Sequence, residues 1–215
     1  MIELAERFYE NGDCVMERVI NADESWIANP EVFRVNREDA HSDHAFYEEK
    51  VTEYGLDMPL RQSLNGTWKF SYADVPQKRV KDFYEENSDI SSFADIKVPG
   101  HIELAGYDTC QYINTMYPWE GHEDLRPPFV PVKHNPVGSY VTYFDIDEAL
   151  LGKKTYISFQ GVEKAFYVWI NGQFVGYSED SFTPSEWDIT PFIKEKGNKL
   201  AVEVYKHSSA SWLED

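Results

Sequence analysis

The sequence predicts an all-β fold, a two-sheet jelly-roll sandwich with an irregular N-terminal arm. Three observations carry this reading. The runs Ala165-Phe166-Tyr167-Val168-Trp169-Ile170 and Gln173-Phe174-Val175-Gly176-Tyr177 are strand-like and are joined by Asn171-Gly172, a pair that accepts positive φ at both central positions of a type I′ hairpin turn. From Gly138 onward, short alternating runs recur with turn signals every ~8–12 residues, the rhythm of a sandwich or barrel. No helical pattern of crossover length separates them, which disfavours a parallel α/β sheet.

In chain order, residues 1–25 form an N-terminal extension in which Leu4, Phe8 and Val15 allow one or two helical turns, interrupted at Asn11-Gly12. Residues 26–60 are polar and irregular with scattered aromatics, and read as an extended arm laid over this domain or a neighbour. Residues 61–215 make the globular domain. Trp68 to Tyr72 alternates as a strand, Val80 to Asn87 reads as a short helix, and Ile96-Lys97-Val98 is a brief strand that Pro99 ends or places at an edge. Gln111 to Pro136 is dense in proline, which fixes φ and withdraws amide donors. It is therefore a loop, of the kind that often carries binding groups. Strands follow over Tyr140–Ile146, Thr155–Phe159, the central hairpin, Glu186–Thr190 and Leu200–Tyr205. Because Phe166, Val168 and Ile170 alternate with Tyr167 and Trp169, both faces of the central strand are apolar or aromatic. One face belongs to the core, and the other must meet a second layer, a partner or a ligand.

Composition narrows the function classes. The 215 residues are 42% apolar and 15% aromatic, enough to build a core, and 38 acidic against 20 basic residues give a net charge of −18. That field repels phosphate backbones and anionic lipid, so neither nucleic acid nor a membrane surface is the expected partner. Cys14 and Cys110 form no metal spacing or disulfide framework. No apolar run reaches the length of a membrane span, and residues 1–10 lack the features of a secretion signal, so a cytoplasmic protein is the default expectation. His41 and His44, three residues apart with no third ligand, read as solvated or hydrogen-bonded histidines, and no metal site is expected in the chain.

Several ordered motifs resemble one family. Ser63-Leu64-Asn65-Gly66-x-Trp68-x-Phe70, Val98-Pro99-Gly100-His101 with Gly106-Tyr107-Asp108, Tyr112-x-Asn114-x-x-Tyr117-Pro118, and Pro127-Pro128-x-Val130-Pro131 leading to Asn135-Pro136-x-Gly138-x-Tyr140 resemble the N-terminal, galactose-binding-like domain of family 2 glycoside hydrolases. Phe166-x-x-Trp169-x-Asn171-Gly172-x-x-Val175-Gly176-Tyr177, with Asp180-Ser181 and Pro184-Ser185-Glu186, is similar to that domain in the large bacterial β-galactosidases. The arm run Trp26-x-x-Asn29-Pro30 to Asn36-Arg37-x-x-Ala40-His41 is similar to their N-terminal segment, which in the family crosses a subunit interface.

The resemblance implies a retaining enzyme that removes terminal β-linked galactose with two carboxylates ~5 Å apart. In the family both are glutamates of a downstream barrel, so no catalytic residue is expected in this chain, which alone should be inactive. It further implies a β-galactoside substrate bound jointly with that barrel, a homo-oligomer, and magnesium and sodium in the full-length enzyme, with no cofactor held by this chain. One family substrate contact falls on Asn114, whose amide offers a donor and an acceptor to neighbouring sugar hydroxyls. The chain ends inside the family motif that begins Leu213-Glu214-Asp215, which points to a piece of a larger gene product. Lys164 and Phe182 depart from the family pattern.

Other candidates remain beside this. The acidic pairs Glu48-Glu49, Glu85-Glu86, Glu123-Asp124 and Glu214-Asp215 read as solvated rather than as a hydrolytic dyad. Among the tryptophans that offer flat faces to a sugar, Trp169 sits mid-strand and reads as core, whereas Trp119 in the proline-rich loop is the better ligand candidate. No phosphate loop or Ser/His/Asp arrangement is present. A stand-alone carbohydrate-binding module and a purely structural assembly domain are the alternative readings.

Overall fold

The computed structural model describes residues 7–10, 13–41, 60–110 and 116–213. Its strands are β1 (Arg7–Glu10), β2 (Asp13–Met16), β3 (Arg34–Val35), β4 (Gly66–Ala73), β5 (Ala94–Val98), β6 (Val137–Phe144), β7 (Tyr156–Phe159), β8 (Ala165–Ile170), β9 (Gln173–Ser178), β10 (Ser185–Asp188) and β11 (Asn198–Tyr205). Among the described residues the helical elements are short 3-10 turns. The chain is all-β, as the alternation predicts.

The main sheet is antiparallel, in the order β3-β9-β8-β11-β6-β4-β5. The β8–β9 hairpin turns at Asn171 (φ 52°) and Gly172 (φ 79°), the left-handed geometry that the Asn-Gly pair predicts. Val168 then pairs with Gly176 but Trp169 pairs with Phe174, so Val175 is an extra residue in a β-bulge. The bulge puts Phe174 and Tyr177, three residues apart, in one core cluster with Trp169, while Val175 joins Val168 in the other.

Both faces of the sheet are covered. Phe166, Val168, Ile170, Leu200 and Val202 pack against Ile157 and Trp187 of the small β7–β10 sheet, which supplies the second layer of the sandwich, and against Ile189 just past β10. Tyr167, Trp169, Ala201 and Tyr205 pack beneath the arm and the 81–93 segment, through Ile27, Phe83 and Phe93. Trp169 is core, as its mid-strand place suggests, and stacks on Tyr84 at 4.6 Å.

The arm lies on this chain's own domain between Arg18 and His41. Trp26 stacks on Tyr167 with centroids 6.0 Å apart, and β3 pairs with β9. The carbonyl of the bulged Val175 accepts from Arg18 Nη2 at 2.8 Å and from Asn36 Nδ2 at 3.1 Å. Arg37 donates to Ser178 Oγ at 2.8 Å, and His41 meets Glu186 at 2.7 Å. His44 and the rest of residues 42–59 lie outside the described residues.

Two local expectations are corrected. Residues 7–10 and 13–16 are a pair of strands with Phe8 opposite Val15, not helical turns, and the Asn11-Gly12 pair read as a helix interruption lies outside the described residues. Val80 to Asn87 is a chain of turns rather than a helix. Asp82 adopts φ 57°, and the Phe83 and Glu85 carbonyls accept from Lys199 Nζ at 2.8 and 2.6 Å instead of from helix amides. Lys199 is itself almost fully buried, with its third donor on Ser88 Oγ at 2.6 Å. No helix among the described residues is long and apolar enough to cross a membrane.

Candidate functional site

Asn114, the predicted sugar contact, lies outside the described residues, as does Tyr112. Cys110 and Met116 flank that segment, and both line a groove of about 2110 Å³ that runs over the β11–β6 face past Tyr140 and Val204. Glu103 and His207 line it too, and so does Phe182.

The chain entering the segment is fixed by charge. Lys206, just past β11, pairs with Asp108 and, at 3.3 Å, with Glu103, and Tyr107 packs edge-on to Phe70 at 4.7 Å. The chain leaving it is fixed by aromatic packing. Tyr117 stacks on Trp119 at 5.3 Å with the rings 8° from parallel, and Tyr117 Oη donates to Trp212 O at 3.2 Å. Trp119 also meets Trp212 edge-on at 4.8 Å and His207 at 5.3 Å. Trp119 is thus 1% exposed and its faces are taken by protein, which corrects the expectation that it stacks on a sugar. A loop tryptophan among prolines looks solvent-facing in sequence, and the C-terminal turn that buries it is more than eighty residues away.

That turn, Ser209–Trp212, is anchored by a carboxylate that sequence reasoning did not single out. Glu179 is buried and accepts from Tyr177 Oη, from Ser208 Oγ at 3.0 Å, from Ser209 Oγ at 3.4 Å and from Ala210 N at 3.3 Å. Burial raises its pKa, and these donors pull the other way. His207 was also missed. Its backbone is clamped by Asn135, which accepts from His207 N and donates to His207 O, both at 2.9 Å. Its ring is 5% exposed, and Nε2 has no hydrogen-bond partner. Burial, then the Lys206 charge, holds the imidazole down to about 4, so it is neutral at pH 7.

The acidic pairs with described members have structural tasks. Glu123 accepts from Val132 N at 3.3 Å and Lys133 N at 2.8 Å, bracing the proline-rich loop, and Glu86 pairs with Lys194. Glu48, Glu49, Glu214 and Asp215 lie outside the described residues. No group of three or more His, Cys, Asp or Glu among the described residues is placed to hold a metal.

A profile described as "Glycosyl hydrolases family 2, sugar binding domain" matches residues 61–215. The chain belongs to this family. Among its relatives, the β-galactosidase of Clostridium acetobutylicum is 63% identical over 192 residues, covering 88% of this chain and 21% of that protein. That of Halalkalibacterium halodurans is 58% identical over 193 residues, covering 89% and 19%. The β-galactosidase large subunit of Leuconostoc lactis is 50% identical over 208 residues, covering 91% and 33%. This family 2 chain therefore spans between a fifth and a third of the length of these relatives.

Proposed function

We propose that this chain is the N-terminal sugar-binding part of a longer β-galactosidase, where it completes a galactose pocket whose reacting carboxylates lie on the rest of the polypeptide. The identity of 63% to a protein named β-galactosidase, sustained over 88% of the chain, carries the reading. The groove supports it, because the segment bearing Asn114 is bracketed by two groove-lining residues, Cys110 and Met116. In this reading Asn114 orients terminal galactose through its amide, and the retaining chemistry proceeds on two glutamates elsewhere. The full-length enzyme works in the cytoplasm as a homo-oligomer, and its magnesium and sodium are held by residues outside those described.

The test is Asn114→Ala in the full-length enzyme, followed by steady-state kinetics on a galactoside. Loss of a hydrogen bond in a buried site should lower kcat/KM by the equivalent of about 1–3 kcal/mol, roughly 5- to 150-fold, with the thermal transition unchanged. Unaltered kcat/KM refutes the assignment.

A further inference from the structure

On the sheet face opposite the groove, a titratable cluster joins the arm to the core. Glu203 on β11 is 6% exposed and shares a face with Tyr167 and Tyr205. Arg79, which follows the Pro76–Lys78 turn, places Nε 3.3 Å from Glu203 Oε1. Its Nη2 pairs with Glu24, in the arm's 3-10 turn Glu24–Ala28, and its Nη1 donates to Pro76 O at 2.9 Å. One nearly buried guanidinium therefore spans from a solvent-facing arm carboxylate to a carboxyl in the middle of the sheet. The same turn is seated by Trp26 on Tyr167 and by the bond from Tyr167 Oη to Asp23 O at 2.9 Å.

We propose that the Glu24–Arg79–Glu203 chain is a proton-operated latch, which holds the arm on the sheet when Glu203 is protonated and loosens it when Glu203 ionises. The reason is charge balance. With Glu203 neutral, the closed arm sets one carboxylate, Glu24, against Arg79. With Glu203 ionised, two carboxylates on separate nitrogens face one guanidinium, and the second must be desolvated as the arm closes. The groups facing Glu203 are Arg79, Glu24 from the arm, Tyr205 from its own strand with Oη at 2.9 Å, Tyr167 from β8, and Tyr84 from the 81–87 turns. Burial, only partly offset by Arg79 and Tyr205, pushes the Glu203 carboxyl up to about 7. With the arm lifted and the group wetted, it returns toward an ordinary carboxyl value. Because the docked state holds the proton more tightly, docking strengthens as pH falls through about 7 and levels off below the ordinary value. Between pH 8 and pH 6 the docking constant should rise by up to about tenfold.

Hydrogen exchange of the chain, corrected for intrinsic rates and read on peptides spanning residues 20–35, tests this. Protection of the arm should fall up to about tenfold from pH 6 to pH 8 in the wild type, and Glu203→Gln should remove that dependence while keeping the arm protected. A flat wild-type profile, or a Glu203→Gln profile that follows the wild type, overturns the latch. A carbon-13 titration of the Glu203 carboxyl needs no variant. A midpoint more than one unit above the ordinary value supports the latch, and a midpoint at the ordinary value overturns it.

Discussion

Gly176 is where three elements cross, and adding one methyl group there should be costly. A Cβ on Gly176 would lie 2.0 Å from Trp187 Nε1 and 2.6 Å from Val35 O, which are themselves joined by a buried hydrogen bond of 3.0 Å. Trp187 is fully buried between the two sheets, so it has no room to withdraw. Overpacking of this kind costs about 1–3 kcal/mol, and parting the indole from the Val35 carbonyl leaves a buried donor and acceptor unpaired for about 1–3 kcal/mol more. Gly176→Ala should therefore destabilise the chain by about 2–6 kcal/mol, a large share of the ~5–15 kcal/mol typical of a domain. With a urea slope of about 2 kcal/mol/M, the midpoint followed by far-UV circular dichroism should drop by about 1–3 M. Trp187→Phe removes the colliding nitrogen, so the double variant should be at least ~1 kcal/mol more stable than the sum of the single changes predicts. A Gly176→Ala cost below about 1 kcal/mol, or strict additivity of the pair, would refute the close-packing argument.

Two further outcomes are expected. His207 has a depressed folded pKa, so its contribution is present above the ordinary histidine value and is lost as pH falls from about 6.5 through about 4. Glu203, raised to about 7, works in the opposite sense over part of that window. The informative measurement is thus the difference between wild type and His207→Gln, which should shrink by about 3 kcal/mol from pH 7 to pH 4. Parallel pH–stability curves would show that the imidazole is not held neutral. Lys199→Met removes all three donors from Phe83 O, Glu85 O and Ser88 Oγ. It should cost about 2–4 kcal/mol in urea unfolding and strip hydrogen-exchange protection from residues 81–88. A change under about 1 kcal/mol would mean that water satisfies those carbonyls.

The places where sequence and structure part are instructive. The fold class, the central hairpin and the later strands followed from rules acting within about ten residues: alternation fixes a strand's two faces, and Asn171-Gly172 fixes a turn. Family membership was legible from ordered motifs. The bulge at Val175 was not, because its extra residue is defined by pairing with β8 rather than by its own side chain. The segment 80–87 looked helical because local pattern is blind to Lys199, whose ammonium takes the carbonyls from more than a hundred residues away. Trp119 reads as the better ligand candidate for the same reason, since its neighbours Trp212 and His207 come from the far end of the chain.

By itself, then, the sequence determined that this is an antiparallel β protein, where its hairpin turns, and to which family it belongs, since each of these is written in short-range chemistry or in motif order. Only the tertiary structure decided which charges are buried and which aromatic faces are free. Glu179, Glu203 and His207 differ from solvated residues of the same type only in what is packed against them. Desolvation is set by the surrounding atoms, and those are supplied by chain that is remote in sequence.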